Sequence, residues 1–531
     1  MMKSIQRTLL VFLNISFGLF FGFVFLYTCT SHAEKYVVPS IRPLRVLCVL
    51  LAALGSLVAL RALSVRSKTL AQVLRQKRTL VSCGILALLF CWQIFFVWNT
   101  VTPVGWDVGA VMQTAQDGAS YYYFTQYPNN VMLLIIFKAV IGVANLFHSE
   151  NIWLFAAIFN VICMDIAVCL SLLLCKRWFS MTVYYTSFFL LSVTLCISPW
   201  LTIPYTDTIG LPFVVGAFYV WARLREETVL KNKILWSVLL GALLFVGGAV
   251  KPTIFILVIA LCIASLLHMP CRRTSKKSTW LLTVAVVLIV MLPLQMLFSR
   301  YKYTLTPKEE WQNKAFTMTH FYMMGLQQHG IYYGNWFEED VIFSANQPTK
   351  QARQSANLER AAQRRAELKC SGVANLYYHK LMWSVIDGTF SYATEGTFHG
   401  GEEKQADGLR GTLQNLTYAE TSFYQKWYVN YAQGLWAGIC LLLASTFFYC
   451  GKAKKQYSGA SFIRSGMQIG IVGLLLFLTL FEPRGRYLII FFPLFAMLAA
   501  IQFERMHTEL PKYLHLLKNY CGRIAKKRSI V

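Results

Sequence analysis

Long apolar runs recur along the chain, and short polar or basic stretches separate them. Thirteen of these runs have roughly 17 to 25 residues, which is enough for a helix to cross about 30 Å of hydrocarbon. A helix satisfies its own backbone hydrogen bonds in lipid, whereas an open strand does not. The pattern therefore predicts an all-α polytopic membrane protein. The runs cover residues 8–29, 45–64, 81–101, 130–147, 153–175, 181–199, 205–222, 235–250, 253–269, 280–299, 433–450, 464–482 and 487–503.

The charge distribution indicates orientation rather than a nucleic-acid partner. The formal net charge is +26, although only 14% of residues are charged. Residues 301–432 hold thirteen basic and thirteen acidic residues, which leaves 37 basic and 11 acidic residues elsewhere. Short basic loops stay in the cytoplasm. The excess lies in such loops: Lys68, Arg75, Lys77 and Arg78; Lys176 and Arg177; Arg223, Arg225, Lys231 and Lys233; Arg272, Arg273, Lys276 and Lys277; Lys452, Lys454 and Lys455; and the tail KKRS.

Counting crossings between these loops predicts the topology. An odd number of crossings must separate the external segment after residue 101 from Lys176 and Arg177, yet two apolar runs lie between them. The run 130–147 is short and contains Lys138. We therefore interpret this run as an interfacial or re-entrant helix on the outer face. Twelve spans and two cytoplasmic termini follow, and the first run is a membrane anchor or an uncleaved signal segment.

Four regions follow from this topology. Two N-terminal spans and a basic loop occupy 1–80, and a transmembrane core with its first external loop, 101–152, occupies 81–300. A hydrophilic external module occupies 301–432, where 351–369 has the composition of a surface helix. The last spans and a basic cytoplasmic tail occupy 433–531.

The external segment 104–130 concentrates polar and aromatic residues in a chain that is poor in acids. It contains Asp107 and Asp117 together with Tyr121, Tyr122, Tyr123 and Tyr127. Carboxylates at a membrane surface beside aromatic rings are candidates for acid–base chemistry. The alternative is that the aromatic residues mark the membrane interface and the carboxylates are merely solvated.

Cationic residues lie at two other external turns. Lys251 precedes Pro252, where one run ends and the next begins, and either binds a lipid-linked phosphate or reaches the interface as a snorkelling lysine. The stretch EPRGRY, 482–487, places Arg484 and Arg486 on the side where positive charge is disfavoured. The two arginines are candidates to clamp a phosphate; alternatively, Glu482 pairs with one of them.

Three further polar residues have competing interpretations. His320 is a candidate for phosphate binding or proton transfer, although a single histidine in a polar loop is more often structural. Asp207 opens a span, where it either lines the substrate site or caps a helix. Asp165 lies within an apolar run, where an acid is costly unless it faces other helices, and we assign it to packing.

Missing motifs exclude several classes of function. The sequence contains no P-loop, G-x-S-x-G, H-E-x-x-H or C-x-x-C motif. Nucleotide-driven transport, serine hydrolysis and zinc proteolysis therefore lack support. A transferase on the outer face has little access to nucleotide donors, so a lipid-linked donor is the simplest alternative.

The order of these motifs resembles that of the C-type (GT-C) membrane glycosyltransferases. The shared stretches are WDVG in the first external loop, YPNN before an interfacial helix, KPT at a span start, HFYMMGL opening the external module, and EPRGRY before the last span. The likeness is strongest to the bacterial branch that is related to protein mannosyltransferases and aminoarabinose transferases and decorates Gram-positive cell surfaces. It extends from about residue 81 onward, so the first two spans are extra.

The resemblance implies a polyprenyl-phosphate sugar as donor, a cell-envelope glycan as acceptor and inversion at the anomeric carbon. Asp107 would be the base and Asp117 a possible second acid. Lys251, Arg484 and Arg486 would stabilise the departing phosphate, with Glu482 and His320 beside them. Substrate would also meet Tyr127, Asn129, Asn130, Asp207 and Tyr487. Some branches use Mg²⁺ or Mn²⁺, and the sequence leaves the use of a metal open.

Two other functions remain open on the sequence. A transporter or flippase of lipid-linked glycans should show polar or broken helices at mid-membrane and a pseudo-repeat. A scaffold that used 301–432 for binding would make Asp107 dispensable.

Overall fold

The protein folds almost entirely as helices. The computed structural model describes residues 2–30, 41–118, 121–268, 275–330, 332–392, 407–415, 417–418, 421, 423–449 and 459–509. Within these residues the only strands are two short ones, β1 (Gln328–His329) and β2 (Tyr332–Tyr333), which pair antiparallel. The prediction of an all-α polytopic membrane protein is confirmed.

The helices are numbered in chain order. They are α1 (Met2–Thr28), α2 (Pro43–Arg66), α3 (Lys68–Gln76), α4 (Arg78–Thr100), α5 (Trp106–Asp117), α6 (Tyr122–Gln126), α7 (Val131–Leu146), α8 (Ile152–Trp178), α9 (Met181–Thr194), α10 (Thr206–Ile209), α11 (Leu211–Glu226), α12 (Leu230–Val250), α13 (Phe255–Leu267), α14 (Ser275–Leu305), α15 (Lys308–Lys314), α16 (Met318–Met324), α17 (Glu338–Ala345), α18 (Lys350–Val385), α19 (Gly408–Gln414), α20 (Val429–Ala444), α21 (Gly459–Leu480) and α22 (492–509).

Each of the thirteen apolar runs coincides with a helix. In the described part of the chain, ten helical segments are long and apolar enough to cross a membrane. The other three runs form the shorter helices α9, α11 and α13. The 14 residues of α9 extend about 21 Å at 1.5 Å per residue, and the chain then continues through a 3-10 turn, Pro199–Thr202. Proline shortens these helices, because Pro199, Pro212 and Pro252 each lie at or near a helix start.

The helix α7 has the length of a membrane-crossing helix. With the 3-10 turn before it, the apolar segment Pro128–Leu146 has 19 residues. Its length therefore gives no support to the interfacial assignment, which stays a prediction from the charge distribution. Lys138, in the middle of α7, donates a 3.4 Å hydrogen bond to the phenol oxygen of Tyr121, so its ammonium reaches toward the segment between α5 and α6.

The two extra N-terminal helices belong to the same bundle as the C-terminal ones. Both α1 and α2 pack against α20. The backbone N–H of Arg42 donates a 2.6 Å hydrogen bond to Oδ1 of Asn430, and the phenols of Tyr27 and Tyr378 are 2.7 Å apart. The first two helices therefore pack on later parts of the chain and do not stand apart from the bundle.

The basic loops meet at one end of the bundle. Lys176 donates a 2.8 Å hydrogen bond to Oγ1 of Thr79, and Arg177 pairs with Glu226 at 2.8 Å. Arg225 lies 3.5 Å from the carbonyl oxygen of His268. The side of the membrane on which this end lies stays a prediction from the charge distribution. Residues 272–273, 452–455 and the tail KKRS lie outside the described residues.

Part of the predicted external module has a small core of its own. Met323, Leu326, Ala361 and Leu376 are buried against one another. The surface helix predicted over 351–369 is confirmed as the first part of α18, which breaks at Lys369, where φ is 56°. A forked ion pair between Arg364 and Asp340 fastens this helix to α17.

Asp165 has a partner that the sequence did not reveal. The side-chain amide of Gln93 on α4 donates a 3.0 Å hydrogen bond to Oδ1 of Asp165 on α8. The thiol of Cys196 lies 3.8 Å from the same oxygen. A carboxyl group in an apolar helix is tolerated where neighbouring helices supply such partners, so the packing role assigned to Asp165 is consistent with this contact.

Candidate functional site

Asp107 lies in the first turn of α5, at the end of a tightly folded loop. The residue before it, Trp106, has φ of 57°, a left-handed conformation that residues other than glycine rarely adopt. A Cβ atom at Gly109 would lie 2.4 Å from the carbonyl oxygen of Val104, so WDVG needs its glycine. The helix N-terminus favours a negative charge at this position. The local fold therefore places the Asp107 side chain at the start of α5.

Two tyrosines hold the Asp107 carboxylate. The phenol of Tyr123 donates a 2.7 Å hydrogen bond to Oδ1, and the phenol of Tyr205 donates a 2.9 Å bond to Oδ2. Burial and the Asp107 charge raise the pKa of both phenols, so the two tyrosines remain protonated donors. Asn130 donates in turn to the Tyr123 oxygen. The carboxylate is half-buried and oriented from two sides.

A buried ion pair lies on the other side of Tyr205. The Asp207 side chain is fully buried and pairs with the ammonium of Lys251. Nη1 of Arg486 lies 4.0 Å from Oδ2 of Asp207. The Lys251 ammonium also lies 4.0 Å from the centroid of the Tyr487 ring. Two cations, Lys251 and Arg486, therefore lie close to one buried carboxylate beside Tyr205.

Tyr205 joins the acid to the cations. Its ring centroid lies 4.8 Å from the guanidinium carbon of Arg486 and 5.9 Å from the Lys251 ammonium. Its hydroxyl binds Asp107. Residues separated by nearly four hundred positions therefore meet around one aromatic ring, which is the convergence that the predicted sidedness requires.

Glu482 pairs with Arg484. Nε of Arg484 donates a 2.9 Å hydrogen bond to Oε1 of Glu482, and the phenol of Tyr487 lies 3.4 Å from Oε2. The sequence left open whether the arginines of EPRGRY clamp a phosphate or pair with Glu482. Arg484 pairs with Glu482, whereas Arg486 faces Asp207. A Cβ at Gly485 would lie 2.4 Å from Oγ of Ser391. The turn therefore packs closely on the 387–391 loop.

The loop 387–391 is itself rigidly held. Oδ1 of Asp387 accepts a 2.7 Å hydrogen bond from the backbone N–H of Thr389, and Oδ2 accepts one of 2.8 Å from Ser391. The indole of Trp200 donates a 3.0 Å bond to the carbonyl oxygen of Thr389. The 387–391 loop of the predicted external module is therefore fixed beside the turn that carries Arg486.

Lys380 on α18 is a buried cation next to this turn. Its ammonium donates a 2.8 Å hydrogen bond to the carbonyl oxygen of Gly325. Burial lowers the pKa of Lys380 to about 7, and the nearby Glu482 charge opposes that shift. Sequence reasoning missed both Lys380 and Tyr205. The only signal was a lysine among apolar residues in YYHKLMW and an aromatic residue two positions before Asp207.

His320 lies in the interior of the outer module. Its Nδ1 is 2.8 Å from Oγ of Ser344, and its ring stacks on Phe316 with centroids 4.2 Å apart. Burial lowers the pKa of His320 to about 4, so the ring is neutral at neutral pH. A neutral, stacked histidine suits packing. The hydrogen bond and the ring contact of His320 involve Ser344 and Phe316, and neither involves Lys251 or Arg486.

The remaining predicted residues divide into two groups. Tyr127 lies next to the site, with its ring centroid 5.2 Å from that of Tyr123, and Asn130 contacts Tyr123 directly. Asn129 is exposed, and Asp117 is exposed at the far end of α5. Ten residues of helix separate Asp117 from Asp107 by about 15 Å.

A divalent cation does not fit the two predicted acids. A metal ion needs ligand oxygens within about 2.0 to 2.6 Å, and Asp107 and Asp117 are too far apart to share one. In the part of the chain that the structure describes, no group of three or more His, Cys, Asp or Glu side chains is arranged to hold a metal.

Comparison with known proteins supports the membrane assignment. No curated protein matches the chain, and no solved structure matches it. The profile of a family described as "conserved hypothetical integral membrane protein" matches residues 1–507. Since this match covers nearly the whole sequence, the chain belongs to that family of integral membrane proteins.

Proposed function

We propose that the protein is a membrane glycosyltransferase that moves a sugar from a polyprenyl-phosphate donor to a glycan acceptor of the cell envelope. The observation that carries this proposal is the link through Tyr205, which holds a carboxylate on one side and two cations on the other. A base and a phosphate site in contact are what direct sugar transfer from a lipid phosphate requires. The order of motifs shared with GT-C enzymes supports the same function.

In the proposed reaction, Asp107 takes the proton of an acceptor hydroxyl. The acceptor oxygen forms a bond to the anomeric carbon while the bond from that carbon to the phosphate oxygen breaks. The electron pair leaves with the lipid phosphate, and the reaction inverts the anomeric centre. Asp107 becomes protonated and later releases the proton to water, so the exchange needs no further reactant.

Lys251 and Arg486 would stabilise the charge that develops on the departing phosphate. They lie over the ring of Tyr205, and both side chains are largely buried, which strengthens their attraction for an anion. Asp207 would fix the Lys251 ammonium in place. Arg484 is bound to Glu482 and would shape the turn.

The proposed setting is the outer face of a bacterial plasma membrane, with both termini of the chain in the cytoplasm. The basic loops support this orientation, because short basic loops stay in the cytoplasm. The donor lipid, the acceptor glycan and the surrounding bilayer would be the partners, and the placement of the basic loops gives no role to nucleic acid.

A transporter of lipid-linked glycans is the second candidate. The observation that favours it is the hydrogen bond between Asp165 and Gln93 within the apolar helices, since a polar pair in such helices can mark a translocation path. Transport would require Asp165 and leave Asp107 dispensable, whereas transfer requires the reverse.

Mass spectrometry of envelope glycans tests the proposal. A strain that lacks the protein is compared with strains that carry the wild type, Asp107→Asn or Asp165→Asn. We expect a glycan that lacks one sugar in the deletion strain and in Asp107→Asn only. An envelope unchanged by the deletion would reject the transferase.

A further inference from the structure

A cavity lies next to Tyr123, one of the two residues that hold Asp107. Its volume is about 200 Å³, and it opens between α6 and the outer module. It is lined by Tyr122, Tyr123, Thr125, Gln126, Lys314, Ala345 and Arg353. The backbone N–H of Phe316 donates a 3.0 Å hydrogen bond to the carbonyl oxygen of Gln126, which joins the two walls.

The lining combines aromatic faces with hydrogen-bonding groups. Tyr122 is 58% exposed, and the Lys314 ammonium lies 4.3 Å from the centroid of its ring. Gln126 and Thr125 add an amide and a hydroxyl. A pyranose ring has an apolar C–H face and a rim of hydroxyls, so this lining matches it better than an alkyl chain.

The two cations of the cavity are already engaged. Lys314 pairs with Glu310 at 2.6 Å, and Nε of Arg353 donates a 2.7 Å hydrogen bond to the carbonyl oxygen of Ser344. Glu310 offsets the charge of Lys314, and the three nitrogens of the Arg353 guanidinium all donate to backbone carbonyl oxygens, so the donors of both cations are already used within the protein. A neutral sugar fits this balance.

The size of the cavity limits the ligand. Pockets that enclose a whole drug-sized ligand measure about 300 to 1,000 Å³, so a cavity of about 200 Å³ holds a single ring. The rest of a glycan chain would extend into the solvent through the opening.

We propose that this cavity binds one neutral pyranose residue of the acceptor glycan, with the ring against Tyr122 and Tyr123. The inference rests on the proposed function, since it assigns the acceptor side of the same site. Tyr123 lines the cavity and donates to Asp107 at 2.7 Å, so only one side chain separates a bound sugar from the base. Tyr122 is the specificity-determining residue, because it touches the cavity without binding Asp107.

Saturation-transfer difference NMR on the full-length protein in nanodiscs tests this inference without catalysis. The probes are methyl α-glucopyranoside, methyl α-mannopyranoside, methyl β-galactopyranoside and N-acetylglucosamine, with sorbitol as an open-chain polyol. We expect ring-proton signals from at least one pyranoside and none from sorbitol. The signals should disappear in Tyr122→Ala and persist in Tyr122→Trp, which keeps an aromatic face.

Tyr332→Ala is the matched control, because Tyr332 is a 53% exposed tyrosine of the outer module that does not line the cavity. The pyranoside signals measured with Tyr332→Ala should equal those measured with the wild type. Absence of pyranoside signals from the wild type, or signals that survive Tyr122→Ala, would overturn the inference.

The same variants separate this inference from the proposed function. Tyr122-dependent binding in a protein whose deletion leaves the envelope glycans unchanged would support the cavity and reject the transferase. If deletion removes a sugar from the glycan but pyranoside binding does not depend on Tyr122, the transferase is supported and the cavity is rejected as the binding site.

Discussion

The phenol of Tyr205 donates a 2.9 Å hydrogen bond to Asp107, and the Arg486 guanidinium lies 4.8 Å from the centroid of the same ring. Tyr205 comes from the turn between α9 and α10, and Arg486 from the turn before α22. One side chain therefore fixes the distance between the proposed base and the proposed phosphate site. Positioning of this kind is a large part of how enzymes lower a barrier.

Tyr205→Phe should slow the reaction while leaving the fold intact. The phenylalanine keeps the ring beside Arg486 and removes only the hydrogen bond to Asp107. A hydrogen bond to a charged group contributes about 1.5 to 3 kcal/mol, which corresponds to about a 10- to 100-fold lower rate of transfer. The rate is measured from the glycan product formed at equal protein level.

Tyr431→Phe is the control for this change. It removes a 2.8 Å hydrogen bond to the carbonyl oxygen of Val193, outside the site. Its rate of transfer should stay within a few-fold of the wild type. Equal rates for Tyr205→Phe and the wild type would show that the Tyr205 hydroxyl has no role in orienting Asp107.

Breaking the ion pair of Asp207 and Lys251 should destabilise the protein. Lys251→Met removes the nearer of the two cations beside the fully buried Asp207 carboxylate and leaves only Arg486, at 4.0 Å; breaking comparable buried pairs costs about 3 to 5 kcal/mol. The double variant Asp207→Asn with Lys251→Met should recover most of that stability and none of the activity. Thermal unfolding in detergent measures the first effect. A double variant no more stable than Lys251→Met would contradict the pairing.

Lys380 should make stability depend on pH. Its pKa falls from 10.5 in the unfolded chain to about 7 in the folded protein because the ammonium is buried. Between these two values the unfolded state binds the additional proton, so the free energy of unfolding rises with pH across this window. Below about pH 7 Lys380 is protonated in both states, and the folded protein bears the full cost of a buried ammonium.

Lys380→Met should flatten this part of the stability profile. Thermal unfolding of the wild type and the variant across the window gives the difference directly, since all other titrating groups are shared. Parallel profiles would show that the Lys380 ammonium keeps its ordinary pKa.

The side on which α7 ends tests the predicted topology. Glu150 follows α7 and is exposed. If α7 lies on the outer face, Glu150→Cys in a background without reactive cysteines should react with an impermeant maleimide from outside, as Arg410→Cys should. Thr228→Cys, in a basic loop, should react only after the membrane is opened. Protection of Glu150→Cys in intact cells would mean that α7 crosses the membrane.

The helices were predictable because lipid imposes a length and an apolar composition on every span. Each apolar run forms a helix, and the predicted surface helix is the first part of α18, which breaks at Lys369 and continues to Val385. The ends of the shorter helices were less predictable. They depend on prolines such as Pro199 and Pro252, and on packing that the runs do not encode.

The site was predictable only as a set of residues on one side of the chain. The predicted topology placed Asp107, Lys251 and Arg486 on the same side of the membrane, but it did not predict which residues each of them contacts. The pairing of Lys251 with Asp207 links positions 44 residues apart, and that of Asp107 with Tyr205 links positions 98 apart. Such contacts depend on how helices rotate against one another. For the same reason, the sequence did not predict the buried position of Lys380 or decide that Arg484 pairs with Glu482.

Asp107→Asn provides the most direct test of the account, with Asp117→Asn as its matched control on the same helix. Each variant is expressed in a strain that lacks the protein, at equal level in the membrane, and the envelope glycans are analysed by mass spectrometry. The account predicts that Asp117→Asn restores the missing sugar and that Asp107→Asn does not. Full restoration by Asp107→Asn would contradict the proposed base.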